Sequence, residues 1–319
     1  MFPSTERRNI NTIDSAFDFR DSFRTDRGNP GFQDARLDPK TDHTMKIDLS
    51  WVPAELGSCM HAMYRMHRQL PLIARELEPA LSPCLLQLGT AADAAGFALN
   101  DLWPTLLPVA CSHEETSVVA RTVLRELRHS RSDHTFENAL EIVLRDSIAA
   151  MRVACPSMAE LSRRERPLRE QWEARGPGLM DHLWAATGGR ADAVAATVHL
   201  VQPVSGGDGM AHPDYGSIHI EALLTNAPNQ PPEAIRIGWL LAQLWCRSDT
   251  PAWTTAVEMR LDPALTLVPV VIWAAEQVEL ARFDAPTVEQ ALVAWRLGDK
   301  PRATASRLVE WWNTRTEQP

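Results

Sequence analysis

The sequence predicts a predominantly helical α+β protein, with a helical N-terminal half and a small antiparallel sheet packed on a central apolar helix in the C-terminal half. Three observations lead there. Apolar residues recur at helical spacing through the first half; two compact β-favouring runs surround a glycine-rich segment near the middle; and the stretch Glu233–Trp245 is apolar nearly all round.

Residues 1–44 are polar, rich in Asp, Arg, Asn and Thr, and hold no sustained period, so they are expected to form a tail, or to reflect a start at Met45 rather than Met1. Residues 45–319 then make one globular domain, with a sub-division into 45–190 (helical) and 191–319 (α+β). From Pro53, the residues Leu56, Met60, Met63, His67 and Leu70 are spaced four, three, four and three apart, which predicts a helix interrupted at Pro71. Ser112-x-x-Glu115 and Ser157-x-x-Glu160 have the pattern of capping boxes, each opening a helix. Behind the first, Ala120, Val123, Leu124 and Leu127 form an apolar face; Leu140, Val143, Leu144, Ile148 and Met151 form another. Short loops between antiparallel helices fit this half.

Val198, Leu200, Val201 and Val204 make the first β-favouring run, Ser217 to Leu224 the second, and Ser205-Gly206-Gly207-Asp208-Gly209 lies in the loop between them. Alternation in the second run puts Ile218, Ile220 and Ala222 on one face and Ser217, His219 and Glu221 on the other, which reads as a sheet covered on one side and solvated on the other. Three helices follow the central one, near 268–282, 287–296 and 303–313. Thr287-x-x-Gln290 is a third capping-box pattern, and Leu308, Trp311 and Trp312 edge the last helix.

Composition narrows the function. Lys+Arg 32 against Asp+Glu 41 gives a formal net charge of −9, which argues against binding nucleic acid through general phosphate attraction. The most apolar stretch, 264–275, is about a dozen residues, short of the roughly 20 that span a bilayer, so no membrane partner is expected. The N-terminus builds no apolar signal region, and the five scattered cysteines make no Cys-x-x-Cys pair; both fit a cytoplasmic protein with reduced thiols.

Two groups of residues have the types needed for chemistry. Asp208, His212, Asp214, His219 and Glu221 supply the oxygen and imidazole ligands a divalent metal takes, with His219 and Glu221 pointing the same way from one strand. The competing reading is a polar loop beside a solvated strand face. Arg166, Arg169 and Arg175 beside Trp172 form a guanidinium cluster that could clamp a phosphate or carboxylate ligand, or else a salt-bridged helix surface that stops at Gly176 with a glycine cap. Gly206-Gly207-Asp208-Gly209 could cradle an anion with consecutive N–H groups, but lacks the Lys-Ser/Thr of a phosphate loop and reads better as a flexible connection. There is no Gly-x-Ser-x-Gly elbow, and His61, His67, His113, His129, His134, His182 and His199 are isolated in sequence.

The block from Arg166 to Leu179, RPLREQWEARGPGL, and the stretches SIHIEALL and GWLLAQL resemble a family of uncharacterised bacterial proteins; the likeness brings no activity with it. At the level of layout, an edge-like strand followed by a central apolar helix, with Glu276 and Glu279 on a later helix, is similar to a zincin metallopeptidase. A zincin carries His-Glu-x-x-His on that helix, two imidazoles for zinc and a glutamate as base. Here Ile237 to Gln243 stands in that place with no ligand, so the resemblance implies an inactive relative that keeps a peptide-binding sheet edge. The expected function is therefore a non-catalytic protein with an unidentified protein or peptide partner and no cofactor; the alternative is a metal-dependent hydrolase at residues 208–221, with a divalent metal as its cofactor.

Overall fold

A computed structural model describes residues 46–127, 134–187, 193–223, 230–245, 263–298 and 300–316. The expected tail 1–44 lies outside the described residues. Every described residue belongs to one compact unit, His43–Pro319.

The predominantly helical α+β class holds, with ten α-helices and one four-stranded sheet among the described residues. A strand, β1 (Lys46–Pro53), comes first, where only a helix beginning at Pro53 was expected; its alternating Ile47, Leu49 and Trp51 carry the period-two signal. Five helices follow: α1 (Glu55–His67), α2 (Leu77–Ala95), α3 (Leu99–Ser112), α4 (Thr116–Glu126) and α5 (His134–Ala154). They enclose one apolar core, in which Leu56, Met60 and Met63 of the predicted stripe are buried, as are Val123, Leu140 and Leu144. Then come a 3-10 turn (Pro156–Glu160), α6 (Leu161–Thr187), β2 (Ala193–Val201), β3 (Gly209–His212), a second 3-10 turn (Pro213–Tyr215), β4 (Ser217–Glu221), α7 (Glu233–Trp245), α8 (Pro263–Gln277), α9 (Ala285–Ala294) and α10 (Pro301–Thr316).

The sheet runs β1-β2-β4-β3 and is mixed rather than antiparallel: β1 pairs parallel with β2, β2 parallel with β4, and β3 alone is antiparallel, against β4. The loop between the two predicted strands thus holds a third strand. Val198, Leu200, Ile218 and Ile220 face a second apolar core shared with α6, α7, α8, α9 and α10, and Ala234, Ile235, Ile237, Leu240 and Leu241 of α7 are all buried there. As expected, α7 is the central helix.

The expected one-sided sheet is overturned. Ser217, His219 and Glu221 are buried at 2%, 0% and 0% exposure, because the helical half covers their face: α1 packs on β2 and α3 on β4. The sheet is a layer between two apolar cores, with its polar face turned toward α1.

Local signals erred where a helix end found a different partner. Ser112 ends α3 and donates to the Pro108 carbonyl instead of capping α4, whose N-cap Glu115 makes no side-chain cap bond. Ser157 lies inside the 3-10 turn and accepts from Gln202 Nε2. Helix α9 is capped by Asp284, whose carboxylate accepts from Thr287 N–H, one turn before the expected start. Helix α6 does not stop at Gly176 but continues to Thr187; a Cβ at Gly176 would meet the Trp172 ring at 2.3 Å, so the glycine is there for a close approach rather than an end.

Candidate functional site

Glu221, near the C-terminal end of β4, is the centre of the polar layer. Its Oε1 accepts from the N–H groups of Val204 (2.9 Å) and Ser205 (2.7 Å), and its Oε2 from those of Gly207 (2.7 Å) and Asp208 (3.2 Å). Gly206 and Gly207 take φ of 79° and 131°, a left-handed path that only glycine follows easily, and this turns successive N–H groups inward. The glycine-rich segment is therefore an anion cradle, as its composition allowed, but the anion is the chain's own carboxylate. Burial drives the Glu221 carboxyl up; the His61 hydrogen bond and charge, the Gly207 N–H and the Arg236 guanidinium drive it down harder, and it stays ionised with a pKa of about 2.

From Glu221 a chain of imidazoles crosses the layer. His61 Nε2 of α1 donates to Glu221 Oε1 at 3.1 Å, His61 Nδ1 lies 3.2 Å from His219 Nε2, and His219 Nδ1 lies 2.8 Å from His212 Nε2. The strand register explains the grouping: His219 sits opposite Met210 on β3 and His199 on β2, and His212 opposite Ser217. Burial, reinforced by the neighbouring imidazoles, lowers His212 to about 3 and holds His219 well below its ordinary value; burial alone lowers His199 to about 4. His199 Nε2 is 3.5 Å from Ser112 Oγ, and its Nδ1 has no partner among the described residues.

Three guanidinium groups fix the surrounding loop. Arg65 of α1 donates to Asp208 Oδ2 at 2.5 Å. Arg236 of α7 donates to the Asp208 and Glu221 carbonyls at 2.7 and 2.9 Å and pairs with Glu233. Arg296, just past α9, donates to the Ser205 carbonyl at 2.5 Å.

Of the five expected metal ligands, the structure brings four into this network and leaves Asp214 exposed on the 3-10 turn after β3. The four are turned toward one another, toward Arg65 and toward the loop. Among the described residues no three His, Cys, Asp or Glu side chains are arranged to hold a metal ion. The arginine cluster does not assemble. Arg166 pairs with Glu170 and Arg169 with Glu173, each at 2.7 Å on an exposed helix face; Arg175 is also exposed, while Trp172 turns inward to the core. That is the salt-bridged surface.

Sequence reasoning missed His61, Arg65, His199 and Arg236. The signal for the first two was a polar stripe, Ser58, His61 and Arg65, at spacings of three and four among the apolar residues Leu56, Cys59, Met60, Ala62 and Met63. For Arg236, the signal was a lone charged pair with Glu233 at i, i+3 inside an apolar helix.

No protein-family model, curated protein or solved structure matched the chain. No described helix is long and apolar enough to cross a membrane.

Proposed function

We propose that this protein is a non-catalytic binding protein that takes an extended peptide along the outer edge of β3. The observation that carries the reading is the direction of the β3 backbone. Glu221 N–H donates to the Asp208 carbonyl at 2.9 Å, so Asp208 and Glu221 form a hydrogen-bonded pair. In the antiparallel register such pairs alternate; Met210–His219 and His212–Ser217 are then bonded inward, and the N–H and C=O of Ala211 point outward with the C=O of Gly209. Those groups form a short template for strand addition.

Composition distinguishes the two sheet edges. The other outer strand, β1, carries Lys46, Asp48 and Pro53, residue types that discourage strand addition, whereas β3 reads Gly-Met-Ala-His. Support also comes from the layout: an antiparallel edge strand, then β4, then an apolar central helix without metal ligands is what an inactive zincin-like relative would keep. The hydrolase alternative loses ground because Glu221 and the imidazole nitrogens bond one another rather than a shared point.

The test is selection of a phage-displayed library of random linear peptides on the full chain, followed by binding to Ala211→Pro. Proline removes the outward N–H and leaves the inward bonds, a change that edge strands tolerate. Selected peptides are expected to bind the parent and fail on the variant. Equal binding to both, or no enrichment, would overturn the proposal; if the variant does not fold, protection of the Ala211 amide by a selected peptide decides it.

A further inference from the structure

The helical half carries an apolar stripe on its outer surface. Along α5, Thr135, Ala139, Ile142, Asp146, Ala149 and Val153 follow one another at spacings of four and three, opposite the buried face of Phe136, Leu140, Val143, Leu144 and Met151. None of the six is buried; Ile142 is 45% exposed and Val153 83%, and the stripe runs for about 27 Å at the rise of a helix. Helix α2 packs beside α5, and the two wall an open cleft of about 440 Å³, with Leu86, Thr90, Ala91 and Ala94 on one side and Phe136 and Ala139 on the other. Ala139 belongs to both stripe and cleft, so they form one face, with Leu86 73% exposed on it. Large apolar side chains left in water on one face mark a site of association.

We propose that this face joins two copies of the chain, α5 against α5 in antiparallel about a twofold axis level with Leu144, with Leu86 of α2 packing beside them. The inference does not rest on peptide binding at β3. The stripe is complementary to its own image: an axis at its midpoint sets Thr135 against Val153 of the second copy, Ala139 against Ala149, and Ile142 against Asp146. The charges at the axis complete the match. Arg145 and Asp146 are consecutive, both partly exposed, and 3.4 Å apart within one chain. Across the axis each guanidinium comes within reach of the carboxylate of the other copy, so two ion pairs cross there and every charge at the centre meets an opposite one. The alanines that line the cleft leave room for apolar side chains of the second copy.

The test is the mass of the full chain in solution, by sedimentation velocity up to about 100 μM. The parent is expected at twice the chain mass. Leu86→Gln with Ile142→Gln should weaken the dimer at least about tenfold, and so should either charge reversal alone, Arg145→Asp or Asp146→Arg, since each sets like charges at the axis. An equimolar mixture of the two reversals should associate again, because one copy then brings two carboxylates to the axis and the other two guanidinium groups. All four positions lie outside the core, and circular dichroism checks that the variants fold. A parent that stays monomeric, which leaves the face to an unrelated partner, would overturn the proposal. So would a dimer indifferent to these substitutions, or two monomeric reversals that do not associate when mixed. If a reversal does not fold, the parent and the glutamine variant decide it.

Discussion

His61 on α1 and Glu221 on β4, 160 residues apart in sequence, meet in a 3.1 Å hydrogen bond with both side chains buried. That bond joins the helical half to the sheet, and the carboxylate on its far side closes the 204–208 loop by accepting four backbone N–H groups. A strand residue that would be ordinary surface on a one-layer sheet becomes the point on which three segments converge.

Glu221→Ala should therefore be strongly destabilising, by about 3–5 kcal/mol, because it leaves buried N–H groups and His61 without their acceptor. Urea denaturation at pH 7 measures it; a loss within about 0.5 kcal/mol would assign Glu221 to a solvated face. Its pH dependence has a definite sign. The folded carboxyl, at about 2, lies below the ordinary value of about 4.3, so its stabilisation is present in full above pH 4.3 and is lost as pH falls toward 2.

Leu241→Asp should prevent folding. The side chain is fully buried on α7 in the C-terminal core, and an unpaired carboxylate there costs several kcal/mol against a total stability of about 5–15. Circular dichroism and a cooperative melt check it; a soluble, cooperatively folding variant would contradict the central role of α7.

Gly176→Ala tests the continuity of α6. In an ordinary exposed helix this change is favourable, since alanine is the better helix former. Here the added methyl meets the Trp172 ring, which is itself packed in the core, so a loss of about 1–3 kcal/mol is expected. A gain in melting temperature would mean that the ring moves aside freely.

How much was legible in the sequence depended on the range of the interaction. Helical stripes such as Leu56, Met60 and Met63, and the all-round apolar α7, were readable because burial of one face is written in local spacing. Alternation correctly put His219 and Glu221 together on one face of β4, but whether that face is wet is decided by α1, more than 150 residues away. No local pattern carries that. The caps failed on competing partners: Ser112 bonds back to the Pro108 carbonyl one turn earlier in α3, and Ser157 accepts from Gln202, 45 residues on. The glycine-rich loop read better as a flexible connection than as an anion cradle, because the carboxylate that its N–H groups hold, Glu221, is brought to it only by the fold.

The claim on which the functional reading depends is that β3 turns the Ala211 backbone outward, and amide hydrogen exchange resolved by residue in the free chain tests it most directly. The register predicts slow exchange at Met210 and His212, bonded to β4, and fast exchange at Ala211 between them, with Ala211 slowing when a selected peptide is added. Protection of Ala211 equal to that of its two neighbours in the free chain would contradict the account.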